Sequence, residues 1–234
     1  MKAKAPCGLF ITGTDTGVGK TYVGALIVKS LCAAEYRVGV YKPVASGCQR
    51  NEQGELVSDD ALELWNAAGK PATLDLVCPR RFAAPLAPHL AAAAEGQSVQ
   101  FEELKAGIKP WQAISNVVIV EGAGGLMSPV TENEFVADLA EALALPLIVV
   151  VPNRIGAINQ ALQTLITASC FRDGLPVAGI ILNDLPNDAA DPSRESNEKE
   201  IARRSPVPVL ARVLHDSQQF DRPINWRAVL SPLE

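Results

Sequence analysis

The sequence has no Cys-x-x-Cys pair, no excess of positive charge, no internal repeat and no apolar run long enough to span a bilayer. The five cysteines (Cys7, Cys32, Cys48, Cys78 and Cys170) are odd in number and dispersed, which favours free thiols over disulfides or zinc. Cys48 follows a candidate substrate loop, yet reads as a small side chain of no chemical role. The formal net charge of −5 argues against general nucleic-acid binding, which needs a basic face. It still leaves room for a local anion site where Lys20, Lys42, Arg80 and Arg81 converge. The longest apolar run, Leu143 to Pro152, contains Pro146 and falls short of a membrane span. Lys2 and Lys4 precede too short an apolar stretch for a signal peptide, so a cytoplasmic protein without a membrane partner is expected. With no composition break, 234 residues suit one α/β domain over 1–234.

What is present is organised around Phe10 to Thr21. Leu9 to Ile11 reads as a buried strand and the residues after Lys20 as a helix, joined by a glycine-rich turn ending Gly19-Lys20-Thr21. Such a turn wraps backbone N–H groups around phosphate oxygens. The helix dipole adds positive potential, the lysine a mobile charge and the threonine hydroxyl a ligand for Mg²⁺. Five residues separate Gly13 from Gly19, one more than the usual spacing. A nucleoside triphosphate user follows.

Downstream, helical spacing runs from Tyr22 to Ala34, and Arg37 to Tyr41 reads as a strand that Pro43 ends. The small-residue loop Val44 to Cys48 leaves a strand's carboxyl end, the edge where open α/β sheets bind ligands. Ser58 or Asp59 caps a helix through Trp65, and a proline-constrained loop from Pro79 to Pro88 precedes an alanine-rich helix, His89 to Glu95. Phe101 to Ile114 reads as one polar helix. Val117 to Val120 is a strand buried on both faces, ending in Glu121-Gly122-Ala123-Gly124-Gly125. Burying an unpaired carboxylate costs several kcal/mol, so Glu121 needs a cation, and a nucleotide-held Mg²⁺ is one. A helix over Phe135 to Leu145, a strand over Leu147 to Val151, a helix over Ile155 to Phe171 and a strand over Val177 to Leu182 follow. A polar loop, Leu185 to Asn197, precedes a last strand over Val207 to Val213. The alternation predicts a P-loop NTPase-type α/β fold, its mostly parallel central sheet covered by helices on both faces.

Gly13 to Thr21, Tyr41-Lys42-Pro43-Val44-Ala45-Ser46-Gly47 and Val120 to Gly125 together resemble the signatures of dethiobiotin synthetase. The likeness runs nearly the whole chain and includes Pro85-Leu86-Ala87-Pro88-His89 and Gly156 to Leu162. It implies a homodimer of biotin biosynthesis that uses ATP and Mg²⁺. The reaction is carboxylation and ring closure of 7,8-diaminopelargonic acid with CO₂ (or bicarbonate) to dethiobiotin, releasing ADP and phosphate. By that resemblance Lys42, Lys20 and Thr14 carry catalysis, and Thr21, Asp60 and Glu121 hold the metal. ATP is contacted by Gly17, Val18, Gly19, Lys20, Thr21, Tyr22, Asp60, Glu121, Gly122, Ala123, Gly124, Asn183, Leu214 and His215. Ser46 and Thr14 contact the diamine. Its distant carboxylate goes to a helix start at Gly156, Ala157, Ile158 and Asn159, across the subunit interface. Two residues depart from the pattern: Gly17 stands where some members have glutamate, and Leu214 where a proline is frequent, which shifts purine recognition toward Asn183.

Two other readings compete. A partitioning or localisation ATPase switch shares the sheet, but such switches carry a lysine early in the phosphate loop, where this chain has Thr14 and Asp15. An amidoligase of the cobyrinic acid type is expected to carry a glutamine-hydrolysing domain, for which 234 residues leave no room.

Overall fold

A computed structural model describes residues 7–186 and 190–230. Lys2, Lys4 and positions 187–189 of the expected polar loop lie outside them. The chain opens with strand β1 (Cys7–Gly13), the phosphate-loop turn and helix α1 (Lys20–Ala33), followed by β2 (Val38–Tyr41). Three two-residue strands, β3 (Val44–Ala45), β4 (Gln49–Arg50) and β5 (Leu56–Val57), lead to α2 (Asp59–Ala67), α3 (Leu74–Val77) and β6 (Arg80–Arg81). Helices α4 (Pro88–Ala94), α5 (Phe101–Ala106) and α6 (Lys109–Ile114) precede β7 (Val117–Gly125) and α7 (Val136–Leu143). Then come β8 (Leu147–Pro152), α8 (Ala157–Cys170) and β9 (Val177–Asn183). The chain closes with a 3₁₀ turn (Pro192–Glu195), α9 (Asn197–Arg204), β10 (Val209–Val213) and α10 (Trp226–Val229).

Six strands form one sheet in the order β10-β9-β8-β1-β7-β2, and every adjacent pair is parallel. All six residues of β8 are buried, as are Leu9 to Gly13 of β1 and Val117 to Glu121 of β7 apart from its tail. Such unbroken apolar runs mark strands covered on both faces, so the expected fold class stands. Its central position puts the turn after β1 at the middle of the sheet's carboxyl edge.

The expected helix Phe101–Ile114 is instead two helices, α5 and α6, with Gly107-Ile108 between them. Pro110 lies in the first turn of α6, where its missing N–H costs nothing, whereas within a continuous helix its ring would strike the carbonyl of residue 106. Gly107 packs so closely on Tyr41 that a Cβ there would lie 2.1 Å from the Tyr41 hydroxyl. That hydroxyl donates to the Leu104 carbonyl at 2.7 Å. The small parallel ladder β3–β6, invisible to periodicity, lays the loop after Ala45 against the proline-rich segment. Gly47 N donates to Ala84 O at 3.1 Å and Cys48 N to Phe82 O at 2.9 Å.

Candidate active site

The phosphate loop begins at Gly13 and closes at Gly19, which caps α1 with φ 85°. Gly19 must lack a side chain for a second reason: a Cβ there would lie 2.1 Å from the Asn183 amide nitrogen. Lys20 is 7% exposed and its Nζ donates to the Asp15 carbonyl at 2.9 Å, bridging the loop's own mouth. Burial lowers its pKa, and the neighbouring Lys42 pushes the same way.

Strand register assembles the rest. In the β2–β7 pair Tyr41 lies opposite Val120, so the next residues, Lys42 and Glu121, emerge side by side at the carboxyl edge. In the β1–β7 pair Ile11 lies opposite Glu121, which brings the carboxylate beside the phosphate loop. Lys42 Nζ lies 2.5 Å from Glu121 Oε1 and 2.9 Å from Asp60 Oδ2, and reaches Gly122 O at 3.3 Å. Thr21 Oγ1 donates to the same Glu121 Oε1 at 3.0 Å. Asp60 arrives on the first turn of α2, whose N-cap is Ser58.

Lys42 and Glu121 are buried, and burial opposes charge on each. For Lys42 the paired carboxylates outweigh burial and its pKa stands raised. For Glu121 burial wins over Lys42 and the carboxyl is pushed up. Asp60 meets burial too, but Lys42, the Thr21 hydroxyl and Lys20 together outweigh it and hold the carboxyl below its ordinary value. Glu121 Oε2 is buried with no hydrogen-bond partner among the described residues. That orphaned oxygen, with the Thr21 hydroxyl and the Asp60 carboxylate, makes a hard-oxygen donor set of the kind Mg²⁺ takes beside nucleotide phosphates.

A cleft of about 920 Å³ is lined by Gly17, Gly19, Lys20, Thr21, Tyr22, Lys42, Ser46, Asp60, Ala123 and Gly124. Thr16, Ala45, Glu63, Pro85 to Pro88, Ser128 and Pro129 complete its walls. Asn183 meets the same loop from behind, donating from Nδ2 to the Val18 carbonyl at 3.0 Å. Leu214 and His215 follow β10 and are exposed.

Other expected residues lie apart. Thr14 lines a neighbouring pocket of about 400 Å³ with Met127, Gln160 and Thr164, and its Oγ1 is buried without a partner among the described residues. Gly122 has no room for a side chain, since a Cβ there would meet Val136 Cγ1 at 2.8 Å and Phe10 at 3.0 Å, while its carbonyl accepts from Lys42. The helix near Gly156 begins at Ala157, not Ile155; Ala157 is buried and its N–H bonds Arg154 O at 3.0 Å. That N–H is therefore taken, while Gly156 and Asn159 are exposed. The four cations do not converge: Arg81 pairs with Asp75, and Arg80 donates to Ser98 O at 2.7 Å, away from the cleft. Cys48 is buried, which raises its thiol pKa, in keeping with an inert side chain.

The sequence pointed to neither Ser128 nor Glu63, and it marked Pro85 to Pro88 as part of the family likeness without a role in the cleft. Ser128 carried a faint signal three residues after Gly125, whose N–H donates to Ser128 Oγ at 2.9 Å. Nor did the sequence mark the buried cluster beneath Asn183. There Asp184 receives Arg212 Nη2 at 2.6 Å, Asn153 Nδ2 at 2.7 Å and an ion pair from Arg194.

A family model described as an AAA domain matches residues 7–219. The ATP-dependent dethiobiotin synthetase BioD of Rhodopirellula baltica is 41% identical over 218 residues, 89% of this chain and 84% of that protein. The enzyme of the same name from Anaeromyxobacter dehalogenans is 44% identical, covering 87% of this chain and 89% of its own. Among solved structures, the signal recognition particle receptor FtsY of Elizabethkingia anophelis in complex with GDP is similar, with a TM-score of 0.60 and 17% identity. That alignment covers 98% of this chain and 64% of the receptor chain, and at such identity it shows the fold alone. Among the described residues no helix is long and apolar enough to cross a membrane.

Proposed function

The chain belongs to the family of ATP-dependent dethiobiotin synthetases, ligases of biotin biosynthesis, and on that premise we propose the reaction its cleft performs. It closes 7,8-diaminopelargonic acid with CO₂ into the cyclic urea of dethiobiotin at the expense of ATP. The observation that carries this reading is Lys42, buried at the rim of the phosphate loop and held between Glu121 and Asp60.

One substrate amine attacks CO₂, forming an N–C bond and losing a proton to solvent, which leaves a carbamate anion. A carbamate oxygen then attacks the γ-phosphorus, and ADP departs with the electrons of the broken P–O bond. The second amine attacks the carbamoyl carbon and loses a proton to solvent, and phosphate leaves with the electrons of the broken C–O bond as the ring closes. Negative charge grows on carbamate and phosphoryl oxygens throughout, so positioning and fixed positive charge supply the catalysis. Lys20 serves the β- and γ-phosphates and Lys42 the carbamate and γ-phosphate, while Ser46 orients the diamine from the opposite wall. Thr21, Asp60 and Glu121 would hold Mg²⁺, which supplies charge neutralisation at the phosphate oxygens. Asn183, at the back of the loop, takes the purine.

The protein acts as a homodimer, in which Gly156 to Asn159 of the partner subunit receive the distant carboxylate. Support comes from Ile155 and Ile166, which are 78% and 62% exposed at and along α8, apolar surface suited to being covered. The decisive experiment is an ADP-release assay. ADP formation should require both the diamine and bicarbonate; release that ignores either one would remove the reading.

A further inference from the structure

Glu63 belongs neither to the phosphate loop nor to the donor set of Thr21, Asp60 and Glu121, yet it lines the same cleft. It stands three residues after Asp60 on α2. That spacing puts both carboxylates on one flank of the helix, separated by roughly 4.5 Å of rise. Glu63 is exposed, and among the described residues no donor bonds its carboxylate.

Its surroundings show which side of the cleft it occupies. Burial raises its carboxyl first, then the Glu121 and Asp60 carboxylates, while Lys29 of α1 acts the other way. Its charge also acts on Tyr22, whose hydroxyl is pushed up by burial, Asp216 and then Glu63. With Ala25 and Lys29 it lines the groove between α1 and α2 as well. Glu63 therefore stands with Asp60 and Glu121 on the α1 side. The orphaned Glu121 Oε2 lies toward that side too, since a Cβ on Gly24 of α1 would be 3.5 Å from it. Lys42 is engaged by the other oxygens, Glu121 Oε1 and Asp60 Oδ2. Three carboxylates so gathered repel one another unless a further cation lies among them.

We propose that Glu63 is a positioning residue for the divalent cation, its carboxylate accepting hydrogen bonds from water carried by the ion. Thr21, Asp60 and Glu121 supply the protein oxygens that hold the ion directly; this rests on the reading of the cleft as a site for ATP with Mg²⁺. Mg²⁺ dehydrates reluctantly and keeps several waters beside nucleotide phosphates, so an outer carboxylate has water to hold. The spacing suits that arrangement, because a metal–oxygen length plus one hydrogen bond spans about 4.8 Å. Outer partners of this kind orient what the metal binds, and losing one weakens metal affinity by about tenfold or more.

The test titrates Mn²⁺ into the full chain with saturating ADP and reads free Mn²⁺ by its electron paramagnetic resonance signal. Wild type is compared with Glu63→Gln, Glu63→Asp and Glu35→Gln, the last an exposed carboxylate beyond the far end of α1. Glu63→Gln should bind Mn²⁺ about tenfold more weakly, Glu63→Asp should keep part of the affinity, and Glu35→Gln should match wild type. In the ADP-release assay the Mg²⁺ concentration giving half-maximal rate should rise in Glu63→Gln, with turnover at saturating Mg²⁺ retained. Unchanged Mn²⁺ affinity in Glu63→Gln would overturn the proposal. Equal weakening in Glu35→Gln would do the same, since net charge alone would then explain it. Turnover lost at saturating Mg²⁺ with Mn²⁺ affinity intact would also overturn it and place Glu63 against the reacting groups. Wild type that takes up no Mn²⁺ with ADP would remove the metal reading along with the proposal.

Discussion

Lys42 and Glu121 each stand one residue past a paired position in adjacent parallel strands, Tyr41 opposite Val120. That register alone brings Nζ to 2.5 Å from Oε1. The pair is buried at the sheet edge, and among the described residues only Asp60, itself half exposed, adds a second counter-charge to the lysine. Lys42 occupies Glu121 Oε1 and Asp60 Oδ2, which leaves Glu121 Oε2 as the carboxylate oxygen open to a cation.

Removing one member of this pair strands the other. Lys42→Met should lower unfolding free energy by about 3 kcal/mol, because Glu121 is left buried without its partner. Adding Glu121→Gln should recover much of that loss. Urea titrations decide it: a double variant no more stable than Lys42→Met would show that the two charges do not depend on one another. Glu121→Gln alone should lower turnover by about a hundredfold or more in the ADP-release assay.

Gly19 tests the phosphate loop without touching a charge. Its φ of 85° and the 2.1 Å approach of Asn183 leave no space for a methyl group. Gly19→Ala should cost about 1–3 kcal/mol and displace Asn183. ATP binding should fall with it, whereas Gly54→Ala, equally left-handed but with nothing within 4 Å, should leave ATP binding alone. Comparable ATP affinity in both variants would contradict the role given to that contact.

Asp184 supplies the pH dependence. Burial opposes its ionisation, but Arg212, Arg194 and Asn153 outweigh burial and hold its pKa below the ordinary carboxylate value. A carboxyl depressed in the folded state contributes stability above its unfolded pKa of about 3.9, and that contribution is lost as pH falls through the folded value. Wild type should accordingly lose stability in acid more steeply than Asp184→Asn, although the variant starts lower at neutral pH. Parallel acid limbs in urea unfolding curves would show that Asp184 is not the group responsible.

Subunit mixing tests the shared site. Glu121→Gln disables the phosphate side, and Gly156→Leu, at a φ of 92°, disables the helix start. In a heterodimer of the two, one site carries both defects and the other neither, so random mixing should restore about a quarter of wild-type activity. Absence of recovery after verified subunit exchange would confine each active site to one chain.

Much of this was legible in the chain because it is local. The apolar runs of β1, β7 and β8 report burial on both faces, and the Gly19-Lys20-Thr21 ending needs only its flanking strand and helix to be recognised. The break in the 101–114 segment was also local: Gly107 and Pro110 are helix breakers.

The tertiary structure decided what depends on register and crossing chains. Residues 42, 60 and 121 meet because two parallel registers and one helix start coincide at a single sheet edge, and no spacing along the chain encodes that meeting. Arg80 and Arg81 were candidates for the same anion site by charge alone; the β3–β6 ladder turns them toward Ser98 and Asp75 instead. Asn183 reaches Val18 across 165 positions, and Tyr22 reaches Ser217 across 195. Hydrogen bonds of that range form only after the sheet has ordered its strands. Composition and spacing specify an α/β chain with a phosphate-loop turn, whereas packing alone brings Lys42, Asp60 and Glu121 to one sheet edge.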